Sequence, residues 1–205
     1  MKNSIEIFKL IKPFKKKINI EGDKSLSIRW ALVASQATGK SKSFNLLKSE
    51  DVIDTLECLK KLGIKIKLTN NFCEITGNGL NGFKYKKNII LNAGNSGTLS
   101  RLIMGLLVHC KNQIKIIGDK SLSKRDFLRV TTPLKLFGAS FKTNSGKLPI
   151  TITGTNYSKP IKYSEKKGSA QCKSTVMLAA LNTEGETYIK AKKSRDHTEI
   201  IFKHL

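Results

Sequence analysis

A chain of 205 residues with 39% hydrophobic content can bury one substantial core or two small ones. None of its apolar runs approaches the roughly 18 residues that a membrane-spanning helix needs, so that class is set aside. The formal charge of +23 is spread along the chain, with Lys15-Lys16-Lys17 its longest basic run, and the few aromatic residues are not interleaved with arginine. That pattern disfavours a nucleic-acid arm or stacking platform, but leaves a positive field that draws in phosphorylated metabolites.

In chain order, residues 17–20 read as a short strand and 26–35 as a helix with Gly39 just beyond its end. Residues 41–46 are strand-like. Ser49 is an N-cap candidate, Glu50 and Asp51 suit the positive end of the helix dipole, and Val52, Ile53, Leu56, Leu59 and Leu62 recur at helical spacing up to Gly63. Residues 64–68 and 72–76 alternate as paired strands across Thr69-Asn70-Asn71. Leu99, Leu102, Ile103, Leu106, Leu107 and Cys110 then make one broad helical face, and 113–117 a strand. The following helix carries Phe127, Val130, Leu134 and Phe137, where Pro133 should kink it or shift its start. Strands at 140–143 and 148–153, a helix at 174–181, a strand at 186–190 and a helix at 196–205 complete the series. The helices are expected to share a buried side, with the strands flanking them.

These elements repeat. Glu50-Asp51-Val52-Ile53 aligns with Arg125-Asp126-Phe127-Leu128 and with Arg195-Asp196-His197-Thr198, at 75 and 145 residues beyond Asp51. Leu62-Gly63-Ile64 aligns with Phe137-Gly138-Ala139 in the same register. The literal match of Gly22-Asp23-Lys24-Ser25-Leu26-Ser27-Ile28-Arg29 to Gly118-Asp119-Lys120-Ser121-Leu122-Ser123-Lys124-Arg125 does not mark this period, because the helices around the two copies differ. Three units of about 70 to 75 residues follow, the third stopping within a helix, far longer than ordinary solenoid periods. The expected class is α+β, one domain of three similar lobes.

Each unit also opens a helix with small, hydroxyl or glycine residues near a basic side chain: Lys24-Ser25, Ser96-Gly97-Thr98 and Gly168-Ser169-Ala170-Gln171. Free N–H groups and the dipole make such ends anion sites. Ser25 and Arg29 share a helical face, and Arg101 lies one turn beyond Gly97. One such end is more often an ordinary capped helix; three at equivalent positions favour a common anion site. The four cysteines (Cys58, Cys73, Cys110, Cys172) have no CxxC spacing and no ligand spacing to His109, His197 or His204, so reduced thiols are expected and a structural zinc is not. Residues 1–17 lack the apolar stretch of a secretory signal, and a cytoplasmic location is expected.

Gly22-Asp23-Lys24-Ser25-Leu26-Ser27-Ile28-Arg29, Gly94-Asn95-Ser96-Gly97-Thr98 through Arg101, Lys124-Arg125, Ser169-Ala170-Gln171-Cys172-Lys173-Ser174 and Arg195-Asp196-His197-Thr198-Glu199 together resemble the 5-enolpyruvylshikimate-3-phosphate synthase family, in its class II form. The likeness runs from about residue 17 to 205, nearly all of this chain but about half of a family member. It implies one lobe of the inside-out α/β barrel fold of enolpyruvyl transferases, made of three βαβαββ units with the third incomplete. Residues 1–20 would pack with a second lobe, and 21–205 would form the substrate-binding lobe, with repeats at about 21–87, 88–155 and 156–205.

The family chemistry adds the 5-hydroxyl of shikimate 3-phosphate to C2 of phosphoenolpyruvate while C3 is protonated, then expels phosphate. The resemblance implies that Lys24 contacts both substrates and is a general acid/base candidate. Ser25, Arg29, Ser169, Ala170 through its backbone, Gln171 and Arg195 would hold shikimate 3-phosphate. Asn95, Gly97, Arg125 and Gln171 would join Lys24 on phosphoenolpyruvate. It implies no cofactor and no metal, no nucleic-acid or membrane partner, and a monomeric full-length enzyme.

Two departures qualify the likeness. Gly97 stands where glyphosate-tolerant class II members carry Ala, and the family's catalytic carboxylate belongs to the second lobe, so little turnover is expected of this chain alone. Other readings are a transferase acting on a UDP-sugar, a non-catalytic shikimate 3-phosphate-binding remnant, and a basic nucleic-acid module, which steep salt dependence would reveal.

Overall fold

Apolar period and capping side chains place the helices. In the computed structural model, which describes residues 6, 8–10, 12–13, 15–18 and 20–205, α1 (Lys24–Ala34) begins at Asp23, whose carboxylate accepts the Leu26 N–H at 2.8 Å. It leads into the polar strand β1 (Thr38–Ser43) and then α2 (Glu50–Lys61). β1 thus lies ahead of the expected 41–46. Ser49 takes the N-cap position of α2 but makes no cap bond; Glu50 and Asp51 meet the dipole instead. Gly63 follows the helix at φ +84, the left-handed turn that closes it. β2 (Lys65–Leu68) and β3 (Cys73–Asn78) form the expected hairpin, and β1 adds to the other side of β3.

The second unit runs β4 (Ile89–Asn92), α3 (Gly97–Leu106), β5 (Ile114–Ile117), α4 (Lys120–Ser123), α5 (Leu128–Leu136), β6 (Ser140–Asn144) and β7 (Lys147–Thr153). Its sheet has the order β4-β5-β7-β6. β4 and β5 are parallel, as a helical crossover requires, and the other pairs antiparallel. The copied segment at 118–125 repeats the cap and not the helix. The Asp119 carboxylate accepts the Leu122 N–H, as Asp23 does for Leu26, but α4 ends after one turn. α5 runs through Pro133, so the Arg129 carbonyl loses its helical donor there.

The third unit contains β8 (Lys162–Glu165), α6 (Ala170–Leu181), β9 (Tyr188–Ala191) and α7 (His197–Lys203), with β8 and β9 parallel. α6 starts at Ala170 rather than 174 because the Ser169 hydroxyl accepts the Cys172 N–H at 3.3 Å. Of the strand expected at 17–20, Lys17, Ile18 and Ile20 lie outside any strand and Asn19 is outside the described residues. Phe8, Leu10, Ile18 and Ile20 nearby are largely exposed. Among the described residues, no helix is long and apolar enough to cross a membrane.

Among the described residues, three sheets flank helices packed on one another, and one continuous apolar cluster joins them. α1 packs on α2 and α3, and α3 lies along α6. That last approach is close. A Cβ on Gly105 of α3 would sit 2.3 Å from the Thr175 carbonyl oxygen of α6. The Thr175 hydroxyl adds a link, 3.1 Å from the Arg101 carbonyl.

All four cysteines are free and buried, as expected of reduced thiols. Burial pushes the Cys58 thiol up to about 12 and those of Cys73 and Cys110 up to about 11. Folding therefore favours the protonated thiols. Their contribution is fully present below the ordinary thiol value of about 8.5 and is lost as pH rises through 11 to 12. Alkylation of these three at about pH 8 is expected to be at least tenfold slower in the native chain than in denaturant. Mass spectrometry of the alkylated cysteines checks this.

Candidate anion-binding site

Three helices are capped by one rule. Asp23, Ser96 and Ser169 each place a side-chain oxygen on the N–H three residues ahead, at Leu26, Leu99 and Cys172. In each helix this satisfies the third amide and leaves the first two without an intrahelical acceptor. Those pairs are Lys24 and Ser25, Gly97 and Thr98, and Ala170 and Gln171.

Packing brings the three ends together. Ser25, Arg29, Thr98, Gly168, Ser169, Ala170, Gln171 and Arg195 line one cleft of about 300 Å³. Arg29 is 4% exposed and fixed by three bonds: Nε donates to Thr198 Oγ1 at 3.0 Å, Nη1 to the Ser25 carbonyl at 3.1 Å, and Nη2 to Ser174 Oγ at 3.4 Å. Burial lowers its pKa and the neighbouring Arg195 lowers it further, while Glu199 and Asp23 work in the opposite direction. Two guanidiniums facing one cleft repel until an anion lies between them. None of the eight lining residues is a carboxylate. The cleft offers amide, hydroxyl and guanidinium donors, a set suited to a multiply charged oxyanion, and no group of its own for proton abstraction.

A second cluster adjoins it. Arg101 Nη1 donates to Gln171 Oε1 at 2.9 Å and to the Gly97 carbonyl at 3.3 Å, and its guanidinium lies 5.0 Å from the Phe127 ring centre. Gln171 Nε2 donates to Thr98 Oγ1 at 3.1 Å, so Gln171 ties α6 to α3 on both sides of its amide. Burial lowers the Arg101 pKa, with Arg125 and Arg129 adding to the effect. Arg125 Nη2 donates to Asn95 Oδ1 at 2.9 Å.

Of the residues expected from the sequence, Ser25, Arg29, Ser169, Ala170, Gln171 and Arg195 meet in the cleft. Asn95, Gly97 and Arg125 form the adjoining group. Lys24 does not line the cleft; its ammonium pairs with Asp51 at 3.0 Å, because α2 lies beside the start of α1. Thr98 and Arg101 were noted at a candidate anion-binding helix end and His197 in the family-like motif without an assigned ligand, while Glu165 and Ser194 were not noted. The Ser194 hydroxyl, His197 Nδ1 and Glu199 Oε2 are buried without a partner among the described residues, all on the segment that carries Arg195. The Ser-Arg-Asp-His run beside Arg195 was the available signal. Lys173 of α6 pairs with Glu199 of α7, which holds that segment against the helix. Among the described residues, no group of three or more His, Cys, Asp or Glu is placed to hold a metal.

Gly97 is the tightest point of the second cluster. A Cβ there would lie 2.8 Å from Arg125 Nη1 and 2.9 Å from Arg101 Nη1. Both are ends of long side chains, so Gly97→Ala is expected to shift the guanidiniums and leave the backbone in place. Thermal stability should change by less than about 1 kcal/mol, since Ala favours a helix start over Gly. Anion binding on that side should weaken severalfold. Calorimetry with phosphoenolpyruvate alongside thermal denaturation checks both.

The family model for EPSP synthase (3-phosphoshikimate 1-carboxyvinyltransferase) matches residues 8–205. The chain is 44% identical over 189 residues to a 3-phosphoshikimate 1-carboxyvinyltransferase of Vesicomyosocius okutanii, covering 92% of this chain and 43% of the relative. It is 41% identical over 191 residues to the protein of that name from Streptococcus mutans, covering 92% of this chain and 44% of the relative. The solved structure of EPSP synthase from Acinetobacter baumannii superposes with a TM-score of 0.87 at 38% identity, over 93% of this chain and 43% of that one. The chain thus spans less than half the length of these relatives. On the match over residues 8–205 and the shared α+β architecture, the chain belongs to the EPSP synthase family.

Proposed function

We propose that this chain supplies the shikimate 3-phosphate-binding lobe for transfer of the enolpyruvyl group from phosphoenolpyruvate to the 5-hydroxyl of shikimate 3-phosphate. The supporting observation is the cleft where the starts of α1, α3 and α6 meet Arg29 and Arg195. The phosphate of shikimate 3-phosphate is placed on the free amides of Ala170 and Gln171, the Ser169 hydroxyl and Arg195. Ser25 and Arg29 face the other side of that ligand. Phosphoenolpyruvate is assigned to the cluster of Asn95, Gly97 and Arg125, with Gln171 shared. Lys24 joins both ligands after leaving Asp51.

Binding both reactants in one cationic space supplies orientation and charge stabilisation, the larger part of what such an addition needs. A carboxylate base must come from outside the cleft-lining residues, and the exposed apolar side chains at 8–20 are assigned to a contact with a second lobe. Calorimetric titration with shikimate 3-phosphate should give saturable one-to-one binding that Arg195→Ala weakens. Absence of binding at millimolar ligand sinks the proposal. Steady-state turnover by this chain alone, with both substrates and at the rate of a full-length relative, would refute the need for an outside base.

A further inference from the structure

Glu165, the last residue of β8, is 5% exposed, a rare position for a carboxylate. Its Oε2 accepts the Ser169 N–H at 2.7 Å, and its Oε1 accepts the Lys167 N–H and Arg129 Nη2, each at 3.2 Å. The connection from β8 to α6 is wound around this one group. Burial opposes its ionisation, but the N–H groups of Ser169, Lys167 and Gly168 together with Arg129 outweigh burial and hold it below the usual carboxylate range.

We infer that Glu165, clamped by Arg129, is a positioning residue for the cleft: by fixing Ser169 it sets the direction of the Ser169 hydroxyl and of the Ala170 and Gln171 amides. This rests on the cleft being the shikimate 3-phosphate site. The carboxylate also consumes the outer donors of the turn, so the ligand meets only the inner ones. Arg129 reaches it from α5, which links the phosphate cradle to the second unit.

Position and charge make opposite predictions here. Glu165 is an anion beside an anion site, so through the field alone Glu165→Gln should tighten binding of a dianion. Through geometry it should weaken it, because the new NH₂ faces N–H donors and leaves at least one without an acceptor. A role confined to fold stability would lower the melting temperature and leave the affinity of the folded chain unchanged.

The test is calorimetry with shikimate 3-phosphate on the native chain, Glu165→Gln and Arg129→Gln. Glu74→Gln, on β3 outside the cleft, controls for loss of a negative charge. Glu165→Gln is expected to raise the dissociation constant at least tenfold, Arg129→Gln at least threefold, and Glu74→Gln not to raise it. An unchanged or lower constant for Glu165→Gln overturns the inference. Should that variant fail to fold, Arg129→Gln decides through the Ser169, Ala170 and Gln171 amide signals and not through affinity, since losing its positive charge would weaken binding of a dianion whatever the geometry. Amide ¹H–¹⁵N spectra without ligand give a second readout: the Ser169 proton should move upfield in Glu165→Gln, and Ala170 and Gln171 should shift with it. If the native chain does not bind shikimate 3-phosphate, the ligand assignment fails, and these spectra still judge Glu165. Unmoved signals at 169–171 overturn its positioning role.

Discussion

Arg29→Met is expected to weaken shikimate 3-phosphate binding about 100-fold while leaving thermal stability within about 1 kcal/mol of the parent, or above it. The two effects separate because, on the proposed assignment, Arg29 serves the ligand and adds little to the fold. Its charge is buried, it faces Arg195, and burial already disfavours its protonated form. Met fills similar volume without that penalty. The hydroxyls left behind keep each other as partners, since Thr198 Oγ1 donates to Ser174 Oγ at 2.7 Å. Removing a desolvated cation from a hydrogen-bonded anion, by contrast, costs on the order of 3 kcal/mol, which is the 100-fold. Paired calorimetry and thermal denaturation measure both quantities. A large fall in melting temperature together with unchanged affinity would reverse the assignment and make Arg29 a structural residue.

Gly105→Ala is expected to act the other way, on the fold first and the site second. The added methyl would meet the Thr175 carbonyl at 2.3 Å, with Leu178 Cβ and Ala179 N close behind. Two of these three atoms are backbone, so side-chain rotation cannot relieve the clash, and α3 and α6 must part. Overpacking of this kind costs about 1–3 kcal/mol, a fall of roughly 3 to 10 °C in melting temperature for a chain of this size. The same separation stretches the bonds from Gln171 to Thr98 and Arg101, which span the two helices. Shikimate 3-phosphate binding should therefore weaken together with stability, in contrast to Arg29→Met. A melting temperature within about 1 °C of the parent would show that the helix contact is looser than described.

The parts of this fold that bury an apolar face were legible in the sequence. α2, α3 and the β2–β3 hairpin follow the expected periodicity, and the candidate cleft was legible because the same small and hydroxyl residues open a helix in each unit. Elements that bury no apolar face were displaced. β1 is Thr-Gly-Lys-Ser-Lys-Ser, with no alternation to read; it is held by its ladder to β3 and by Lys40 and Lys42 against Glu74. The copy at 118–125 keeps the cap and not the helix, in line with its exclusion from the repeat register: Asp119 caps its turn as Asp23 does, but the Asp126 carboxylate then takes the Leu128 N–H and starts a new helix. Glu165 sits in a Ser-Glu-Lys-Lys row that reads as solvated surface, and Gly105 looks like filler in an apolar helix. Glu165 is clamped by Arg129 from another helix, and Gly105 matters through Thr175, partners that no local pattern reveals.

The ion pair at the start of α1 also sets how readily its cation can be redeployed. Lys24 keeps half of its side chain in water while it rests on Asp51. Exposed pairs of this sort hold with at most about 1 kcal/mol. Asp51 is therefore a mooring rather than a lock, and the ammonium stays hydrated and neutralised until a stronger counter-charge arrives. An incoming dianion competes with a single carboxylate for a tethered cation that needs only to swing on its own four-carbon arm. The resting chain thus avoids adding a third bare positive charge to a cleft where two already repel.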